Sequence, residues 1–207
     1  MSDLIIHGPP QSSYTHTARM VAIEKGLPYR LEPVEFKSAA HLARHPWGRV
    51  PLLTHGDVEL IETSAIAHYL DAIGPGPALV PTTARARAEN EKWISIIHCY
   101  AYGDLVTSYL FHYIFPKTAD KQPDRALIER DAPAMARDLA LFEAGFRGDW
   151  LTGPTLALAD LFLAPILAYV SVLPEAAAVL ERSPNLRRFL GQLATRESFT
   201  ATVPPRA

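Results

Sequence analysis

Two serines, Ser12-Ser13, stand directly before a helical stretch. Hydroxyls in that place can accept from the free amides of the first turn, or lend a proton to an anion held at the helix's positive end. No Gly-x-Ser-x-Gly elbow surrounds them, which argues against a hydrolytic nucleophile. Glu62-Thr63 stands at the mouth of a later helix and reads as a cap with an acid in the first turn. Pro51 opens the apolar run Pro51-Leu52-Leu53. Proline donates nothing to a ladder, so it sits first in a strand or at an edge, and it can carry a cis bond fixed in a tight turn. His41 and His45 have HxxxH spacing, but Pro46 follows at once and no third ligand is evident, so no metal is expected. Cys99, within a helix among aromatics, reads as a small buried residue. Tyr100, Tyr109, Phe111, Tyr113 and Phe115 form core or line an apolar pocket.

The elements that must position these residues fall into two sets. Leu4-Ile5-Ile6 is a buried strand ended by Gly8-Pro9-Pro10, and a helix from about Thr15 to Lys25 stops at Gly26. Tyr29 to Phe36 alternates as a strand does, and Ala39 to Arg44 is a short helix closed by Pro46 and Gly48. Pro51-Leu52-Leu53 and Val58-Glu59-Leu60-Ile61 flank a turn containing His55-Gly56-Asp57, a hairpin signal. Ile66, Tyr69, Leu70 and Ile73 then mark one helix face. The order is βαβαββα. Gly74-Pro75-Gly76-Pro77 breaks the pattern and reads as a linker. Beyond it only helices are expected: one marked by Trp93, Ile96, Ile97 and Tyr100, one by Leu139 and Phe142 that Pro133 kinks or restarts, a buried one over Leu161–Val172 and a last one over Asn185–Arg196. The expected domains are an α/β domain over 1–77 and an all-helical domain over 84–207.

The totals exclude several functions. Twenty Lys and Arg against twenty-two Asp and Glu give a net charge of −2 with the signs interspersed, so no nucleic-acid surface is expected. The start, MSDLIIHGPP, has an acid at position 3 and only three consecutive apolar residues, so no signal peptide is expected, nor any membrane span. A single cysteine excludes an internal disulfide and cysteine-based zinc sites, and the expected setting is cytoplasmic.

With that order in place, four segments resemble the cytosolic glutathione S-transferases. Gly48-Arg49-Val50-Pro51 is similar to the family's cis-proline loop, and Glu62-Thr63-Ser64-Ala65-Ile66-Ala67-His68-Tyr69-Leu70 to its third-helix motif. Ser12-Ser13-Tyr14-Thr15, with Arg19 and Glu24-Lys25-Gly26-Leu27-Pro28-Tyr29, looks like the first loop and helix. Glu35 to Pro51, with Lys37, His41-Leu42 and Pro46, is similar to plant-type and bacterial members. The resemblance implies a thioredoxin-like, glutathione-binding first domain and a helical second domain that shapes a pocket for an apolar electrophile. It implies a homodimer, with glutathione as cosubstrate and no metal.

The resemblance also assigns roles. Ser12 becomes the hydroxyl that stabilises the glutathione thiolate, with Ser13 and Tyr14 as competing donors. Val50, before a cis Pro51, meets the peptide part of glutathione. Thr63 and helix amides take the γ-glutamyl carboxylate, Glu62 faces its ammonium, and Lys37 and Arg49 face the glycyl end. Phe36 stands where the plant-type pattern has a histidine, and Ala157 where a Ser or Thr usually caps the buried helix, with Asp160 retained. Conjugation of glutathione to an electrophile is the first function implied. The alternatives are isomerisation of the zeta, maleylacetoacetate isomerase type, suggested by Ser12-Ser13-x-Thr15, and a non-catalytic binding or regulatory protein on the same fold. An omega-type thiol reductase is disfavoured by serine at position 12.

Overall fold

The computed structural model describes residues 3–204, which divide into two compact units. The first runs to Pro81 and includes the chain from Ala194 onward; the second is Thr82–Leu193.

In the first unit the elements are β1 (Leu4–His7), α1 (Ser13–Glu24), β2 (Arg30–Glu32), α2 (Ala39–Arg44), β3 (Leu52–His55), β4 (Val58–Ile61) and α3 (Thr63–Ile73). The sheet order is β2-β1-β3-β4, with β1 parallel to β2 and antiparallel to β3, and β3 antiparallel to β4. Ile6 and Leu53 from the sheet, Met20 and Val21 from α1, and Ile66 and Leu70 from α3 are fully buried, which explains the apolar periodicities of those segments. Strand β2 is shorter than its alternation suggests because Pro33 follows Glu32 and can donate nothing to a ladder. Arg44 of α2 donates to Thr54 Oγ1 of β3 (2.9 Å) and pairs with Glu59 of β4 (3.2 Å), fastening α2 to the sheet.

The C-terminal segment, with α10 (Glu197–Thr200), returns to α1. Arg196 makes a bidentate pair with Glu24 (2.5 and 2.6 Å), and the Ser198 hydroxyl donates to the same carboxylate. Arg19 donates to the Thr202 carbonyl (3.0 Å). His16 is buried against Phe199, with ring centroids 5.3 Å apart. Burial, then the nearby Arg19 guanidinium, lowers its pKa from 6.5 to about 4, against a smaller opposing effect from the Phe199 backbone. The folded chain therefore keeps His16 neutral while the unfolded chain protonates it below 6.5. Its stabilising contribution is full above that value and is lost as pH falls towards 4. Urea unfolding should show a loss of about 3 kcal/mol attributable to this residue between pH 7.5 and 4. His16→Leu should flatten that part of the pH profile; an unchanged slope would overturn the assignment.

In the second unit α4 (Ala84–Ile96) passes without a break into a π-wound segment, Ile97–Leu110, and a last turn, α5 (Phe111–Ile114). The sequence reading expects an ordinary helix here. The wider winding turns Cys99 outward, so the cysteine expected to be buried is exposed. Helix α6 (Arg125–Gly145) runs on through Pro133, and α7 (Leu158–Val170) is buried along nearly its whole length. Ala157 cannot cap α7, and two other residues do so. Asp160, itself fully buried, accepts from Ala157 N–H (2.9 Å) and Leu151 N–H (2.8 Å). Asn90 of α4 reaches across to accept the Ala159 N–H (3.0 Å), the free amide a serine or threonine would have taken. Helices α8 (Pro174–Leu180) and α9 (Pro184–Ala194) complete the chain order.

Tyr109 and Tyr113 belong to a polar network of this unit. Both hydroxyls donate to Glu175 at the start of α8 (2.8 and 2.6 Å), and Arg125 completes the cluster (2.6 Å). Burial opposes ionisation of Glu175, but the two phenols and the guanidinium outweigh it and hold the carboxyl at about 2. Among the described residues, no helix is long and apolar enough to cross a membrane.

Candidate active site

Strand register brings three loops of the first unit to one end of its sheet. His7, the last residue of β1, pairs with Leu52, the first of β3, which in turn pairs with Ile61, the last of β4. Gly8–Ser12, Arg49–Pro51 and Glu62-Thr63 therefore leave the sheet side by side. The approach is close: a Cβ on Gly8, whose φ is +153°, would lie 2.4 Å from Thr15 Oγ1 and 3.3 Å from Val50 Cβ. Only glycine fits there.

Ser12 is the N-cap of α1, its Oγ accepting from the Thr15 N–H (3.3 Å). An accepting hydroxyl keeps its own proton to donate, so capping α1 and activating an anion are compatible roles. Ser12 is half-buried, whereas Ser13, the first helical residue, is 6% exposed, which leaves Ser12 the more open hydroxyl. Tyr14 lies one residue further into the helix, half-buried. Thr15 was legible only as part of a motif. It is fully buried, and its Oγ1 has no hydrogen-bond partner among the described residues.

The Val50–Pro51 peptide bond is cis. Pro51 is buried and precedes β3. Beside it, Glu62 precedes α3 with φ +69°, a left-handed value that side chains rarely adopt. Its side chain makes no capping bond and points its carboxylate to solvent, 4.0 Å from the Nε2 of buried His45. The expectation that this position caps the helix is thus corrected. The first amides of α3 are left without a side-chain acceptor, and Thr63, 5% exposed, opens the helix. An uncapped helix N-terminus next to an exposed carboxylate can hold a zwitterion: carboxylate on the amides, ammonium on Glu62.

Lys37 and Arg49 are exposed, with no ion pair to either side chain among the described residues. They come together through a histidine rather than directly. The Lys37 backbone N–H donates to His41 Nδ1 (3.1 Å), and His41 Nε2 meets the Arg49 carbonyl (2.9 Å). Two free cations at one edge suit a carboxylate. The HxxxH pair is not assembled as a metal site: among the described residues no group of three or more His, Cys, Asp or Glu could hold an ion.

Comparison with known proteins bears on the family and the fold. Residues 11–73 match the family model "Glutathione S-transferase, N-terminal domain", and residues 104–197 match "Glutathione S-transferase, C-terminal domain". Glutathione S-transferase 3 of Zea mays is 29% identical, over 98% of this chain and 94% of its own length. Glutathione S-transferase Z2 of Arabidopsis thaliana is 30% identical, over 94% of this chain and 87% of its own. Among solved structures, the theta class glutathione S-transferase of Xanthomonas axonopodis pv. citri, with glutathione bound, superposes with a TM-score of 0.84 at 25% identity, covering 100% of this chain and 99% of that one.

Proposed function

The chain belongs to the glutathione S-transferase family, and we propose that it joins the glutathione sulfur to an apolar electrophile at the loop cluster around Ser12. The observation that carries this reading is the uncapped N-terminus of α3 beside Glu62, one strand away from Val50–Pro51, at the same end of the sheet as the loop that carries Ser12. The γ-glutamyl carboxylate lies on the Thr63 hydroxyl and the α3 amides, its ammonium on Glu62. The Val50 backbone before Pro51 meets the cysteinyl part, and Lys37 and Arg49 meet the glycyl carboxylate.

Ser12 then donates to the sulfur, with Ser13 as a neighbouring donor. A thiolate is the nucleophile, so the site must favour the anion near neutral pH. Lowering the thiol pKa by about two units requires about 2.7 kcal/mol. A charge-assisted hydrogen bond and the N-terminus of α1 supply much of that. The thiol proton leaves to solvent and the sulfur lone pair forms the carbon–sulfur bond; in a substitution the displaced pair departs with the leaving group, and in an addition the π pair shifts onto the electrophile's acceptor atom, which takes a proton from solvent. Holding both reactants together supplies the rest of the acceleration.

The working form in this reading is a cytoplasmic homodimer. The exposed apolar side chains Phe36, Leu42 and Trp47, the last 70% exposed, support the pairing, and the single cysteine supports the cytoplasmic setting. Calorimetric titration with glutathione, followed by turnover of a chromogenic aryl halide, tests the function. Saturable binding and conjugation are expected. Absence of glutathione binding would overturn the transferase reading and favour a binding protein on this fold.

A further inference from the structure

The HxxxH pair has no role in the reading above, yet one of its members lies between the two cations. His41 is 4% exposed, and both ring nitrogens are engaged, Nδ1 by the Lys37 N–H and Nε2 by the Arg49 carbonyl. An amide can only donate and a carbonyl only accept. The ring is therefore neutral, with its proton on Nε2 donated to Arg49. One imidazole thus spans the loop before α2 and the loop before β3.

Both loops need such a tie. Lys37 has φ +60°, a left-handed conformation that side-chain residues rarely adopt and that persists only where its surroundings fix it. Gly48, at φ +58°, turns the other loop so tightly that a Cβ would lie 3.3 Å from Lys37 Cγ. The ring itself is held on all sides. Ser38 caps α2 by accepting the His41 N–H (3.1 Å), and Phe36 and His45 pack edge-on against the imidazole at 5.8 and 6.4 Å. The His45 N–H bonds the His41 carbonyl (2.8 Å), and the Gly48 N–H bonds the His45 carbonyl (2.7 Å). Phe36, a departure from the plant-type pattern, is thus part of the clamp.

We infer that His41 is a positioning residue for the glycyl end of glutathione: it sets the spacing of Lys37 and Arg49 by bridging their backbones and touches no substrate itself. The inference rests on the proposed function. It separates the site into two parts, since Ser12 hangs on another loop and Glu62 meets the clamp only through its 4.0 Å pair with His45.

The test is calorimetric titration of wild type, His41→Leu, His41→Gln and His41→Asn with glutathione and with its glycyl ethyl ester, which lacks the terminal charge. Wild type should prefer glutathione. In His41→Leu glutathione should bind about five- to tenfold more weakly, with less than a twofold change for the ester. His41→Gln, with an acceptor and a donor on one side chain, should recover most of the loss. His41→Asn, too short to span both partners, should behave like leucine and supplies the same contrast if the leucine variant does not fold. The thiol pKa of bound glutathione should stay at its wild-type value in every variant. Equal weakening of both ligands, or of neither, would overturn the clamp while leaving the transferase reading intact. A wild type that binds neither ligand overturns both.

Discussion

Ser12→Ala should bind glutathione nearly as tightly as wild type while raising the pKa of the bound thiol by about two units. At pH 7 that shift cuts the thiolate fraction by roughly thirtyfold, and the greater nucleophilicity of the more basic thiolate returns part of it. The net expectation is a fall in kcat of about three- to fivefold at pH 7 that is lost by about pH 8 and reverses above it, where the variant's more basic thiolate is largely formed. Thiolate absorbance against pH and the kcat profile read the same shift independently. If Ser12 serves only as the cap of α1, the variant instead loses about 1 kcal/mol of stability and the thiol titration does not move. Ser12→Thr keeps hydroxyl and cap and should stay close to wild type. A raised thiol pKa in Ser13→Ala with none in Ser12→Ala would transfer the role to Ser13.

The parts of this site that were legible in the sequence are those fixed by local rules. Ser12 before a helix, Pro51 at the mouth of a strand that opens one residue later and the third helix's apolar face follow from capping, the missing proline donor and periodicity. The parts that were not legible depend on partners brought together by the fold. His41 meets Arg49 only because α2 and the β3 loop close on each other, and nothing in its spacing to His45 marks that contact. Asn90 caps α7 from 69 residues away, and nothing local marks it. Cys99 reads as buried from its place in a helix among aromatics, but it lies exposed in the π-wound segment. Glu62 has the residue type of a first-turn acid, but its left-handed backbone turns the carboxylate away from the amides. That backbone is what leaves the helix end free.

The Gly74-Pro75-Gly76-Pro77 run shows the same division and leads to the largest expected loss of stability. Its composition suggests a loose spacer, whereas the fold locks it to a buried cation. Lys25 is 2% exposed, and its ammonium donates to the carbonyls of Gly76 (2.7 Å) and Pro77 (2.8 Å) while pairing with Asp71 (3.0 Å), which uses all three protons. Asp71 in turn accepts from the Leu79 and Val80 amides (2.8 and 3.2 Å). A Cβ on Gly74 would sit 2.4 Å from Lys25 Cβ, so these glycines supply close approach rather than slack. Lys25→Met keeps much of the side chain's bulk but strands a largely covered carboxylate and two carbonyls. It should cost about 3–5 kcal/mol in urea unfolding. Asp71→Asn should cost less, because the carbonyls still receive the ammonium and the amide oxygen still accepts one N–H. Combining Lys25→Met with Asp71→Leu should cost less than the sum of the single changes, since no uncompensated charge remains. A loss below about 1 kcal/mol for Lys25→Met would mean that water replaces the ammonium at little cost, and that apolar packing alone fastens this segment.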